Sequence, residues 1–130
     1  MDISKYNEAL RQCIQDCMNC LTRMTHTASN NDCPNCCIEC VQICEITSKA
    51  FTQNSEFIRK YMKLCAEVCD WCASQCEAHP YAHAQTCASS CRECAHMMRA
   101  GTGNRARPAN PEGKQVPYDE NTPETTSWLG

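Results

Sequence analysis

The sequence predicts an all-α protein, an antiparallel up-down four-helix bundle whose core is lined by cysteine. Three observations lead to this prediction: cysteines recur at helical spacing, the spacing occurs in four separate segments, and short polar breaks separate those segments. At about 100° per residue, steps of four and seven positions return within about 40° of the starting direction. Each CxxxCxxC motif therefore forms one narrow stripe, where a bundle normally carries leucine.

The four predicted helices run from about Ile3 to His26, from Pro34 to Thr52, from Ser55 to His79 and from Pro80 to Ala100. Proline is favoured in a first helical turn, serine is a good N-cap, and Gly101 is a good stop for the last helix. The breaks TASNND, TQNS and AHPY are short, so we expect consecutive helices to lie antiparallel.

Every predicted helix carries one cysteine stripe. The stripe cysteines are Cys13, Cys17, Cys20, Cys33, Cys37, Cys40, Cys44, Cys65, Cys69, Cys72, Cys76, Cys87, Cys91 and Cys94. Cys36 alone falls to the side of its stripe. One or two buried cysteines per helix would be ordinary small hydrophobic residues, but three or more on each helix indicate a specific use of sulfur.

The cysteine content and the start of the sequence indicate the cellular compartment in which the protein is expected. The chain has 130 residues, 15 of them cysteine, which fits one domain and resembles a disulfide-rich secreted protein in composition alone. The start, MDISKYNEAL, lacks the character of a secretory signal, and the cysteine count is odd. Cysteines along one helix face are also poorly placed for disulfides. We therefore expect a cytoplasmic protein with reduced thiols.

Several function classes are disfavoured. No run is apolar and long enough to span a bilayer. The net charge of −3 gives no reason to expect nucleic acid or a membrane surface as a partner. The sequence has no Gly-rich phosphate loop and no nucleophile elbow. We predict a protein that is not an enzyme.

The sequence changes character after residue 100. Residues 1–100 form the predicted bundle, whereas residues 101–130 are rich in Gly, Pro, Asn and Thr and contain no cysteine. This composition predicts a tail without a core of its own. Trp128 and Leu129 are candidates to dock on a helix or a neighbouring subunit, with a loose tail as the alternative.

Four inward-facing stripes would surround the bundle axis with thiolates, which suit Cu(I), Zn(II) and Fe–S clusters. Zinc bound by four thiolates carries two negative charges, and several such units in a dry core would be costly. Cu(I) with about one bridging thiolate per ion is neutral. A four-cysteine zinc site would need two pairs of cysteines that face each other, such as Cys17 and Cys20 with Cys91 and Cys94. One or two zinc sites, or one Fe–S cluster, would leave most of the thiols unused.

The two ends of the predicted bundle differ. One end, which we call the mouth, collects the C-termini of the first and third helices and the N-termini of the second and fourth. Met24 there continues the first stripe, His79 lies three residues after Cys76, and His83 lies four before Cys87. Methionine and neutral histidine are compatible with Cu(I), so we expect metal to enter here. The alternative for the histidines is a surface position near a loop.

The opposite end, which we call the closed end, collects apolar residues that predict a plug: Ile3, Tyr6, Leu10, Phe51, Phe57, Ile58, Tyr61, Met62 and Met98. Both methionines are expected to pack in the core and not to bind metal. A second apolar set lies outside the stripes and predicts flanking core contacts together with a subunit interface: Ile14, Leu21, Ile38, Val41, Ile43, Ile46, Leu64, Val68 and Trp71.

Four CxxxCxxC helices with a His/Met end and an apolar end resemble the bacterial copper storage proteins, a family of cysteine-rich four-helix bundles. The resemblance covers residues 1–100 and rests on a motif that recurs in all four helices. It implies a bundle that holds many Cu(I) ions along its core, commonly as a homotetramer, and here of the cytosolic type. It matches the stripe cysteines to core ligands, fits Cys36 less well, and has no counterpart for the tail.

The resulting hypothesis is Cu(I) storage and detoxification. The predicted metal ligands are all 15 cysteines, including Cys36, with Met24, His79 and His83. Copper ions, further copies of the chain in a tetramer and a copper chaperone are the candidate partners. Two alternatives remain: a zinc-binding structural or regulatory module, and a thiol redox buffer that forms reversible cross-helix disulfides.

Overall fold

The computed structural model describes residues 3–25, 29 and 31–102. They form four α-helices, α1 (Ile3–Met24), α2 (Asn35–Thr52), α3 (Ile58–Glu77) and α4 (Ala82–Thr102), and the described residues contain no strand. α1 and α3 each pack against both α2 and α4, so the helices form a closed ring around one axis. The predicted four-helix bundle is confirmed.

The α2–α3 connection shows why the chain reverses so sharply. Asn54 has a positive φ of 58°, a left-handed conformation that asparagine tolerates better than most residues. Its N–H donates to the Phe51 carbonyl at 3.1 Å, and the Ser55 N–H donates to the Ala50 carbonyl at 2.9 Å. These two bonds satisfy carbonyls that the end of α2 would otherwise leave open.

The sequence predicted Ser55 as the N-cap of α3, but in the structure Ser55 does not cap this helix directly. Its hydroxyl accepts the Phe57 N–H at 3.0 Å, within a turn that precedes the first helical residue, Ile58. The reason is that the Ser55 backbone already terminates α2, so α3 can begin only after a further turn.

Gly101 does not stop α4, which continues to Thr102. A Cβ at residue 101 would collide with the side chain of Met62 and lie 2.8 Å from the Tyr6 hydroxyl. The glycine therefore serves close packing at the closed end and not helix termination.

The closed end is an apolar plug built from fewer residues than predicted. The rings of Tyr6 and Phe51 stack with centroids 5.4 Å apart, over the fully buried side chains of Leu10, Met62 and Met98. Ile58 and Tyr61 are half-buried. Ile3 and Phe57 are 43% and 52% exposed, so they lie outside the plug. Both lie at the N-terminal ends of their helices, Ile3 as the first residue of α1 and Phe57 just before α3.

Residues 101 and 102, which the sequence assigned to the tail, belong to α4. The rest of the predicted tail, including Trp128 and Leu129, lies outside the described residues, as does His26. Of the second apolar set, Ile43 is buried, and Ile14, Leu21, Val41, Val68 and Trp71 pack against the core. Ile38, Ile46 and Leu64 are exposed. Within the ranges that the structure describes, none of the helices is both long enough and apolar enough to span a membrane.

Candidate metal centre

The core of the bundle is a column of thiols. All 15 cysteines are free, and each is at most 1% exposed. Fourteen lie in helices, where the three- and four-residue spacing turns them to the axis, and small buried residues such as Ala66, Ala73 and Ala95 flank them. We call these 15 side chains the thiol column.

The shortest sulfur–sulfur distances in the thiol column join different helices. Cys17 lies 3.5 Å from Cys87, and Cys40 lies 3.6 Å from both Cys13 and Cys69, measured between Sγ atoms. Two sulfurs bound to one tetrahedral ion with bonds of about 2.3 Å are about 3.8 Å apart. These distances therefore match the separation of sulfurs that share one metal ion.

The sulfurs form overlapping groups of four, in which all Sγ atoms lie within 4.8 Å of one another. From the closed end towards the mouth, these groups include Cys13–Cys40–Cys44–Cys69, Cys13–Cys17–Cys40–Cys91, Cys17–Cys37–Cys72–Cys87, Cys20–Cys37–Cys76–Cys87 and Cys33–Cys36–Cys37–Cys76. Because consecutive groups share members, a metal in one group would be bridged by sulfur to the next. This continuity distinguishes the column from a set of isolated zinc sites.

Cys36 is part of the column, although helical spacing places it to the side. It is fully buried, its Sγ lies 3.9 Å from the Cys72 carbonyl oxygen, and it belongs to the four-thiol group nearest the mouth. Cys36 lies in the first turn of α2, four residues and hence about 40° of rotation before Cys40, and from there its sulfur reaches the backbone of α3. We call Cys33, Cys36, Cys37 and Cys76 the mouth cluster.

Burial and mutual hydrogen bonding control the protons of the column. Burial raises the pKa of the Cys33 thiol to about 12. The hydrogen bond with Cys13 and burial raise the pKa of Cys17 well above its ordinary value. Hydrogen bonds from Cys37 and Cys72 lower the pKa of Cys36, and a hydrogen bond from Cys17 lowers that of Cys87. Thiols thus stabilise individual thiolates, while the dry core opposes many at once.

The mouth contains the predicted methionine and histidines. Met24 is buried at the end of α1, and His79 is 6% exposed just beyond α3. Tyr81 stacks against both histidines, with ring centroids 5.9 Å from His79 and 5.4 Å from His83. The Nε2 atom of His83 is buried and has no hydrogen-bond partner among the described residues.

Sequence reasoning missed the polar residues that hold the mouth together. Asn31 bonds to Cys33, Gln75 and His79, and Ser29 also bonds to His79. The available signal was an asparagine two residues before a cysteine, because asparagine commonly accepts the N–H of the second residue after it.

The fold and the thiol column together define a class of protein, a helical bundle that binds soft metal ions within a core of thiols. Residues 2–101 match the sequence model of one family, described as Csp, copper storage protein. The chain therefore belongs to the copper storage protein family, as its sequence resemblance predicted.

Similar individual proteins support this family assignment. The uncharacterized cysteine-rich protein YhjQ of Bacillus subtilis strain 168 is 31% identical over 96 residues, which are 72% of this chain and 89% of that protein. Apo copper storage protein 3 of Bacillus subtilis has a TM-score of 0.70 and 32% identity, covering 75% of this chain and 95% of its own. The Cu(I)-bound copper storage protein BsCsp3 has a TM-score of 0.69 and 30% identity, covering 75% and 94%.

Proposed function

We propose that this protein is a cytosolic store that takes up many Cu(I) ions into its thiol column, in order to hold copper and make it harmless. The observation that carries this proposal is the continuous series of overlapping four-sulfur groups, built from cysteines of all four helices. The Cu(I)-bound relative BsCsp3 supports Cu(I) as the cargo.

Charge explains why Cu(I) suits the column. The cysteines are enclosed by protein, so a loaded column must be close to neutral. Cu(I) replaces a thiol proton with one positive charge, and a thiolate that bridges two ions allows about one Cu(I) per thiolate. Zn(II) would leave two negative charges on every tetrathiolate site. Storage, and not catalysis, follows from a core in which bound ions are enclosed by sulfur.

The proposed ligands are the 15 cysteines of residues 1–100, with Met24 and His83 as the donors that Cu(I) meets at the mouth. The buried, unpartnered Nε2 of His83 supports its role. His79 lies at the mouth as well, and its contacts are considered below. Residues 101–130 contain no cysteine, so the bundle alone would hold the copper.

An anaerobic titration of the reduced protein with Cu(I), in competition with the chelator bathocuproine disulfonate, tests this function. We expect tight uptake that approaches the number of thiols, 15 per chain. Saturation at one or two ions would contradict storage and favour a zinc or regulatory site. Reversible disulfides without tight metal uptake would favour a redox buffer.

Met24→Leu and Met98→Leu form a matched pair for the direction of entry. Both methionines are at most 1% exposed, but Met24 lies at the mouth and Met98 at the closed end. We expect Met24→Leu to slow Cu(I) loading and Met98→Leu to leave the loading rate unchanged. Equal effects would contradict entry through the mouth.

We also propose that the chain forms a homotetramer through the outer face of α2 and α3. Ile46 and Leu64 are 47% and 48% exposed there, beside a groove of about 190 Å³ that Ile43 and Val68 also line. Leu64→Lys should reduce the mass measured by light scattering. Met18→Lys is the control, because Met18 is equally exposed at 50% but lies on α1.

A further inference from the structure

Cys33 differs from every other thiol of the column in how its backbone is held. The other 14 cysteines lie within helices, where the i to i−4 hydrogen bonds fix their positions, whereas Cys33 lies in the turn before α2, which begins at Asn35. Its sulfur is nevertheless fully engaged, 4.0 Å from the Cys76 Sγ in the mouth cluster. Some other interaction must therefore hold Cys33 in place.

That interaction is a network centred on Asn31. The Asn31 Oδ1 accepts the backbone N–H of Cys33 at 2.9 Å, and its Nδ2 donates to the Gln75 carbonyl at 2.9 Å. The Asp32 N–H donates to the Gln75 Oε1 at 3.0 Å. The Gln75 carbonyl belongs to the last turn of α3, whose carbonyls lack helical partners. The network thus ties the turn that carries Cys33 to the helix that carries Cys76.

His79 supports the same network. Its Nε2 lies 3.1 Å from the Asn31 Oδ1 and 3.2 Å from the Ser29 hydroxyl, and its carbonyl accepts the Gln85 amide at 2.6 Å. The backbone donor of Cys33 identifies the Asn31 atom as an oxygen acceptor, so the histidine Nε2 must carry the proton in this contact. A protonated Nε2 has no lone pair for a metal ion, so in this arrangement only the Nδ1 atom of His79 could bind one.

We propose that Asn31 and His79 are positioning residues, which hold Cys33 against Cys76 and so set the rate at which Cu(I) exchanges at the mouth cluster. The part of this proposal that concerns copper exchange rests on the proposed function. It assigns different work to the two mouth histidines, since His83 keeps an unpartnered Nε2 while the Nε2 of His79 is bonded.

The kinetic test uses the full-length chain loaded with Cu(I), from which excess bathocuproine disulfonate removes the metal under nitrogen. We expect Asn31→Ala to accelerate the fastest phase of copper removal by about tenfold, which is the lower end of the effect of losing a group that orients a metal ligand. The total copper capacity should stay within about one ion of the wild type. Asn7→Ala is the matched control. Asn7 accepts a hydroxyl bond from Ser48 at 3.0 Å, but at the closed end, so its removal should leave the rate unchanged.

Two further comparisons separate positioning from ligation. In a Cys33→Ala background, Asn31→Ala should cause no additional acceleration, because the asparagine acts through that thiol. His79→Gln keeps an N–H donor near the Nε2 position and should retain the wild-type rate, whereas His79→Ala should resemble Asn31→Ala. If His79→Gln and His79→Ala both release copper faster than the wild type and to the same extent, His79 is a ligand. If neither variant changes the rate, His79 does not affect exchange. Either result would show that its proposed positioning role is wrong.

A copper-independent measurement keeps this inference separate from copper storage. In the apo protein, Asn31→Ala should increase alkylation of Cys33 by iodoacetamide, resolved by mass spectrometry, relative to Cys36 and Cys37. Unchanged alkylation and an unchanged removal rate would overturn the inference but leave storage intact. Changed alkylation with saturation at one or two copper ions would overturn storage and the exchange role, while retaining the positioning of Cys33. Loss of helical circular dichroism in Asn31→Ala would show a general folding role and overturn the proposal.

Discussion

The number of protons that each copper ion displaces is the most direct test of a neutral thiol column. The perturbation is the stepwise addition of Cu(I), supplied as its acetonitrile complex, to reduced apo protein in weakly buffered solution at pH 7.5 under nitrogen. Each Cu(I) must replace protons on the thiols that it binds. If bridging thiolates match the ions one to one, about one proton should appear per Cu(I).

The structure bounds this ratio. Burial raises the pKa of Cys33 to about 12, so its thiol is protonated at pH 7.5. With all 15 thiols protonated, full loading releases 15 protons. Hydrogen bonds with neighbouring thiols lower the pKa of Cys13 and Cys36, and any thiolate already present before loading brings the ratio below one. We therefore expect a ratio of about one or slightly below up to saturation.

A pH-stat measures the ratio, with a Zn(II) titration of the same protein for comparison. A zinc tetrathiolate should release up to about four protons per ion. A copper ratio that stays near two until saturation would mean that each Cu(I) takes its own pair of thiolates. Negative charge would then accumulate in the core, which would refute the neutral-column reasoning.

Three further predictions concern the bundle itself. Because burial raises the pKa of Cys33 from its ordinary value of 9.0 to about 12, this thiol contributes stability to the metal-free fold below pH 9.0 and loses that contribution as the pH rises towards 12. The midpoint of urea unfolding should therefore fall over this pH range, and a midpoint that rises would contradict the expected sign. Leu10→Ala should lower the free energy of unfolding by about 2–5 kcal/mol in urea denaturation, with unchanged copper stoichiometry, because Leu10 is fully buried in the plug. Gly101→Ala should destabilise the protein by about 1–3 kcal/mol despite the better helix propensity of alanine, because Met62 and Tyr6 must move; a raised thermal midpoint would show that they move freely.

Helical periodicity made the fold and most of the thiol column predictable. A cysteine within a regular helix has a direction that its sequence position determines, so the inward placement of residues such as Cys69 and Cys91 follows from spacing. The fourfold repeat of the motif also predicted the topology, since four cysteine stripes that face one axis require four helices around it. The same reasoning correctly left Met62 and Met98 as core residues at the closed end.

Positions at the helix ends were less predictable, because their environment depends on tertiary contacts. Cys36 and Gly101 both occupy first or last turns, where the neighbouring chain and not the helical period decides their surroundings. Ile3 and Phe57 are apolar, yet both are more than 40% exposed. The Asn31 network joins residues far apart in sequence, so spacing alone could not reveal it.

The overlap of the four-sulfur groups has a consequence for how such a store can change in size. Since each group shares sulfurs with the next, capacity depends on how many turns the four helices have in common. One additional turn on every helix lengthens the bundle by about 5.4 Å and adds up to about four sulfurs without altering the existing ones. Shortening the bundle at one end would remove ligands there and leave the remaining groups intact. Storage capacity in this architecture is thus a matter of length, adjustable in steps of one helical turn, while the chemistry of each step stays the same.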